Sequence, residues 1–333
     1  MSFKRLEADD FVVSSDSITS TLWSTDLPTL TEFYTSSVQA VGSSGNFYLS
    51  IYQTSSLTNV QFDIAYADAV GSGSTDYTPI VVGKSPSLST YGQYRALILE
   101  DENSTFSFGV ENNIYVSEDF WVLSLERARY KESIFPGSLN LTLSGSDGII
   151  QLTDNSQDVL VNTFIGSSRV YQLVSGSNGS AISSGGYVEN SGSYGLVFPE
   201  LGTILLNPSA ISQSIGVDTN RASNLANGTN MATLYNSIVL GSSFSLNSQE
   251  TITSDYIFIR ARNSEFNYTQ NPTFISGATG EVIYDNFINN PQTFITTIGL
   301  YNDSNELLSV AKLSRPLIKD FTKEALVRVK LDF

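Results

Sequence analysis

The chain has 333 residues, 41% hydrophobic and 15% charged, which is enough apolar material for a large core and too much for a disordered polymer. A formal charge of −16 argues against binding along nucleic acid, because displacing counterions from phosphates needs clustered Lys and Arg. Cys and His are both absent, which removes disulfides, thiolate and imidazole metal ligands, Cys nucleophiles and Ser-His-Asp triads.

No run approaches the ~18–20 apolar residues of a membrane span. The stretch from Met1 to Glu7 turns polar within a few residues and lacks the apolar core of a signal peptide. The expectation is a soluble chain made in the cytoplasm.

In chain order, Phe11 to Val13 starts as a short strand, and Leu22-Trp23 and Phe33-Tyr34 are aromatic anchors. Phe47 to Tyr52 alternates, with Phe47, Leu49 and Ile51 on one face, and Phe62 to Tyr66 alternates again, so the two predict a hairpin. Gly71-Ser72-Gly73-Ser74 breaks the pattern. Ser85-Pro86 marks a helix start, Ser as N-cap and Pro at the first helical position, followed by a stripe of Tyr91, Tyr94, Leu97 and Ile98. Phe106 to Val110, Ile114 to Val116 and Phe120 to Leu125 predict strands. The basic run Arg127 to Lys131 stands at a junction ahead of Pro136-Gly137.

From Gly137 the pattern is of short strands with Ser/Gly turns: Leu139 to Leu143, Gly148 to Leu152, Val159 to Ile165 and Val170 to Val174. Ser175 to Gly195 is the richest in Gly and Ser and predicts an exposed loop or flexible arm. It has no phosphate-loop spacing. Leu196 to Leu206 predicts a buried run, Asn207-Pro208 a second capped helix, and Gly228 to Leu240 a third. Thr251 to Arg262 returns to strand. The end of the chain, Thr293 to Phe333, predicts a sheet of two runs flanking the turn Asn302-Asp303-Ser304-Asn305 and a third run closing on Phe333. There is no internal repeat.

These patterns predict a mainly β fold, with two β-sandwich or barrel-like units and a few short helices. The expected division is 1–135, 136–250 and 251–333, with the middle part possible as an insertion if Thr251 to Arg262 rejoins the first sheet.

Carboxylates are the chemistry left to such a chain, in Asp9-Asp10, Glu100-Asp101-Glu102 and Glu118-Asp119. Sequence neighbours on a strand point to opposite faces, whereas sugar hydrolysis needs two carboxyls that converge. Asp101-Glu102-Asn103 and Asp303 to Glu306 offer oxygens to Ca²⁺ without the spacing of a calcium loop. No catalytic, cofactor or metal residue is assigned, and the expectation is not an enzyme. Aromatics and Arg, the residues enriched at protein interfaces, gather toward the end of the chain. The candidate interface residues are Tyr301, Arg315, Lys319, Arg328 and Phe333, and the cations among them suit an acidic neighbour.

One segment resembles a known family. Ile298-Gly299-Leu300-Tyr301-Asn302-Asp303, followed by Leu307 to Lys312, is similar to the I-G-L-Y-D…L-I-A-V-A hairpin of tail-collar and fibre-attachment domains in tailed bacteriophages. Here Ser309 stands in place of a small apolar residue and Asn302 precedes the Asp. The Ser/Thr/Asn-rich β texture resembles virion structural proteins of large contractile-tailed phages, marine ones included. The resemblance implies a tail or baseplate subunit that docks other virion proteins or self-associates, located in the virion; it brings no catalytic residues. The alternatives are a capsid decoration or neck protein, and a carbohydrate-binding or carbohydrate-degrading β domain.

Overall fold

The computed structural model describes residues 4–37, 48–73, 85–110, 112–183, 185–221, 229–267 and 272–332. It is mainly β, with 45% of residues in strands and 16% in helices. The chain divides into unit 1, Met1–Ser17 with Thr251–Phe333, and unit 2, Ile18–Glu250.

Strand β1 (Phe11–Thr21) begins in unit 1 and ends in unit 2. Unit 2 continues through β2 (Thr29–Leu30), β3 (Tyr34–Ser37), β4 (Leu49–Tyr52) and β5 (Val60–Asp68). Helix α1 (Pro86–Tyr94) is followed by β6 (Phe106–Val110), β7 (Asn113–Ser117) and β8 (Asp119–Leu125). After α2 (Arg127–Tyr130) come β9 (Ser133–Ile134), β10 (Asn140–Ser144), β11 (Ile149–Asp154) and β12 (Thr163–Ile165). Then follow β13 (Ser168–Ser177), β14 (Ser180–Ala181), β15 (Gly195–Phe198) and β16 (Thr203–Leu206). Helices α3 (Pro208–Ile215) and α4 (Thr229–Gly241) precede β17 (Phe244–Ser245) and β18 (Asn247–Ala261), whose later part belongs to unit 1.

The main sheet of unit 2 runs β2-β17-β10-β11-β13-β15-β16-β8-β5-β4-β3, and its successive pairs are antiparallel. Residues 120–123 of β8, 196–198 of β15 and 204–206 of β16 are continuously apolar because both faces of these strands are covered. Along β8, Trp121, Leu123 and Leu125 enter one cluster while Phe120 and Val122 enter another. The sheet curls. Phe244 of β17 and Phe62 of β5 lie far apart in strand order, yet their rings are 5.5 Å apart, and Trp23 sits 5.0 Å from Phe244. Ile211 and Ile215 of α3, and Met231, Leu234 and Ile238 of α4, join this inner cluster. On the other face α1 and the β6-β7 hairpin supply Tyr91, Phe106 and Phe108 against Phe120, with the Phe106 and Phe120 rings 4.7 Å apart.

Because β16 pairs with β8, one sheet holds strands from both sides of residue 135. The boundary expected at 135/136 is therefore not a boundary of this fold, and residues 18–250 pack as one unit. A second correction concerns Ser175 to Gly195. It is not an exposed arm: Ser191, Ser193 and Tyr194 are buried, and Val188 and Gly192 form a β-bridge. Small residues permit this, since a Cβ on Gly192 would lie 2.1 Å from the Phe108 carbonyl oxygen.

In unit 1, β18 is flanked by β1 and by β21 (Ala325–Asp332), the latter in register from Ser254 opposite Asp332 to Ala261 opposite Ala325. A short helix α5 (Asp285–Asn289) leads into a separate hairpin of β19 (Thr293–Tyr301) and β20 (Leu307–Lys319). Asn302 Oδ1 closes the turn by accepting from the backbone N–H of Ser304 at 3.0 Å and of Glu306 at 2.8 Å. The expected hairpin is present, but the third run, β21, pairs with β18 rather than extending it.

Candidate assembly surface

Four of the five candidate interface residues fall in described parts of unit 1; Phe333 lies outside the described residues. Tyr301 ends β19 and is partly exposed. Arg315 is exposed on β20 and takes part in none of the ion pairs found among the described residues. Arg328 is exposed on β21, its guanidinium 5.5 Å from the centre of the Tyr256 ring. Lys319 is different. It is 0% exposed, and its Nζ donates to Asn263 O at 3.0 Å, Asn267 Oδ1 at 2.9 Å and Asp320 O at 2.9 Å. That makes it a buried brace at the end of β20, so it presents no charge to a partner.

The cationic end is also weaker than the sequence order suggests. Lys323 pairs with Asp320 at 3.2 Å, Lys330 with Asp332 at 2.8 Å and Arg260 with Glu324 at 2.7 Å. Unit 1 carries ten Lys/Arg against thirteen Asp/Glu, and unit 2 seven against twenty, so they hold −3 and −13 of the total charge. Unit 1 is near neutral, not basic.

Its distinctive property is uncovered apolar surface. Among the described residues of unit 1 only Ile257, Ala261, Ala325 and Val329 are buried apolar side chains, and none belongs to either hydrophobic cluster. Phe294 is 58% exposed, Leu308 68% and Leu326 64%, with Leu307, Val310 and Ile318 also exposed. Within unit 1 a groove of about 2240 Å³ runs between Phe11, Ile257, Ile259 and Val327 on the sheet and Phe294 and Ile298 on the hairpin. This is the surface sequence reasoning found in part: the hairpin was legible, but its lack of cover was not.

The carboxylates gather elsewhere. In unit 2, Asp68 and Asp119 are cross-strand partners at the ends of β5 and β8. Arg221 donates through Nε to Asp68 Oδ2 and through a terminal nitrogen to Glu118 Oε2, both at 2.6 Å. Asp119 Oδ2 accepts from Tyr66 Oη at 2.9 Å and Thr219 Oγ1 at 3.0 Å, and burial pushes the Asp119 carboxyl above its usual range. Glu118 and Asp119 thus diverge, one to the surface and one inward, as strand neighbours should. Every carboxylate here has a donor, and the cluster reads as a polar tie between strand ends and the segment before α4. Arg221 was not legible as its partner, because nothing local to Arg221 marks a contact 153 residues away.

Asp101 is occupied by the Asn103 N–H and the Ser104 hydroxyl, and the backbone bond holds its carboxyl below the usual range. Glu100, in the left-handed region at φ 55°, accepts from both the N–H and the hydroxyl of Ser167. Among the described residues no group of three or more acidic side chains is placed to hold a metal ion, and no helix is long and apolar enough to cross a membrane. No family model, curated protein or solved structure matches the chain.

Proposed function

We propose that the chain is an assembly subunit of a virion, placed in a tail or baseplate and docking its neighbours through unit 1. The observation that carries this reading is the β19-β20 hairpin, whose apolar side chains stand exposed on a unit that buries few of its own. Exposed apolar patches of this extent mark interaction sites, because leaving them in water forgoes roughly 25 cal/mol per Å² of burial. The hairpin is also the segment that resembles phage collar and fibre-attachment domains. Unit 2, with its two clusters, serves as the folded body.

Mass spectrometry of purified particles is the test, together with labelled antibody seen by electron microscopy. The chain should be present in several copies and the label should fall on the tail. Particles without the chain would overturn the reading, and label on the head would move the subunit to a capsid role.

A further inference from the structure

Lys319 differs from other lysines of the chain in what it faces. Lys4, Lys131, Lys323 and Lys330 each pair with a carboxylate, whereas Lys319, 0% exposed, takes part in none of the ion pairs found among the described residues. A buried cation without a counter-charge is costly. Its Nζ lies 2.9 Å from Oδ1 of Asn267, a residue itself only 7% exposed. An amine and an amide are thus held together away from water.

We propose that Lys319 and Asn267 condense to an intramolecular isopeptide bond. Nζ, as the free amine, attacks Cγ of Asn267; the Nζ–Cγ bond forms, the Cγ–Nδ2 bond breaks, and Nδ2 leaves as ammonia with the proton that Nζ gives up. No co-reactant is consumed. The lysine's other proton leaves with the ammonia as an ammonium ion, so the buried charge is gone from the product. With a C=O bond of about 1.2 Å, Cγ lies within about 4 Å of Nζ, close to the roughly 3–3.5 Å of a near-attack arrangement. The Asn263 carbonyl oxygen accepts from Lys319 Nζ, at 3.0 Å, and also from Asn267 Nδ2. It therefore holds the two nitrogens side by side where the proton passes between them.

The bond would sit where unit 1 lacks other ties. Asn267 follows β18 and Lys319 ends β20, while Thr293, which opens β19 opposite Lys319, donates through Oγ1 to Phe266 O at 2.8 Å. Joining two residues 52 positions apart encloses the whole β19-β20 hairpin in a covalent loop. Such a closure restricts the unfolded chain as a disulfide does, and the chain has no Cys to form one. Unit 1 also buries few apolar side chains that could hold the base of the hairpin instead. The inference is independent of the assembly reading.

Mass spectrometry of the purified full chain, held at neutral pH until its mass is constant, tests the bond. The wild type should weigh one ammonia less than its sequence. Lys319→Arg and Asn267→Ala should keep their full sequence masses, whether or not either folds as well as the wild type. Trypsin does not cut after Arg315, which precedes Pro316, and cannot cut after a Lys319 whose amine is acylated. The wild-type digest should therefore contain a branched peptide joining 263–312 to 313–323. A wild type at its full sequence mass, with free 313–319 in the digest, would overturn the inference. A loss of ammonia accompanied by free 313–319 would overturn it too, since that pattern marks cyclisation of an Asn on its own backbone.

Discussion

Lys319 shows how one side chain changes meaning when its surroundings are known. Its ammonium meets three neutral oxygens, two backbone carbonyls and one side-chain amide, so the charge is held by hydrogen bonds to uncharged groups. Lys319→Ala should lower the stability of unit 1 by roughly 2–4 kcal/mol, since buried acceptors lose a charged donor. Arg315→Glu, on an exposed position of the same strand, should stay within about 0.5 kcal/mol. Urea unfolding of both variants checks this; equal and small effects would return Lys319 to the surface. Asp119 gives a pH prediction in unit 2. Its folded pKa is raised by burial, so the stability it contributes is fully present below its unfolded pKa of about 3.9 and is lost as pH rises through the higher folded value. Asp119→Asn removes this titration. The melting temperature of Asp119→Asn relative to wild type should therefore climb from acid to neutral pH, and a difference flat with pH would contradict the assignment.

Elements set by neighbouring residues were the legible ones. Asn207-Pro208 opens α3 as read: Asn207 Oδ1 accepts from the Ser209 N–H at 3.1 Å, and the helix stops at Gly216 with φ 68°. Asn207 does more than cap, because its buried Nδ2 donates to the carbonyls of Ser191 at 2.7 Å and Ser193 at 2.8 Å. Asn207→Ala should therefore cost roughly 2–4 kcal/mol, above the ~1 kcal/mol of a lost cap, as two buried carbonyls lose their donor. Thermal denaturation measures it, and a loss near 1 kcal/mol would mean that water replaces the amide. The hairpin of β4 and β5 was likewise readable from period two, and β8 covers the strand expected at Phe120 to Leu125. Ser85 begins α1 as expected yet makes no side-chain cap bond, so the sequence signal was right about position and wrong about the bond. The pairing order of the sheet was not readable, because β16 meets β8 through contacts about 80 residues apart. Strands of two residues such as β2, β9 and β17 are too short for any periodicity. The bulge in β20 was hidden for a related reason: Pro316 marks an edge, but only the partner register shows how many residues are extruded.

At the scale of the molecule, the two units differ in what holds them. Unit 2 has an inner cluster around Trp23, Phe62, Trp121 and Phe244 and an outer one around Phe106 and Phe120, so its central strands can open only with the loss of both. Unit 1 has long strands but little buried apolar area, and a two-stranded ribbon such as β19-β20 is marginal in water by itself. Hydrogen exchange on the full chain should therefore separate them. Amides of β8, β15 and β16 should exchange only through global unfolding, while those of β19 and β20 should exchange through openings that cost a few kcal/mol less. Equal protection across both units would contradict the division.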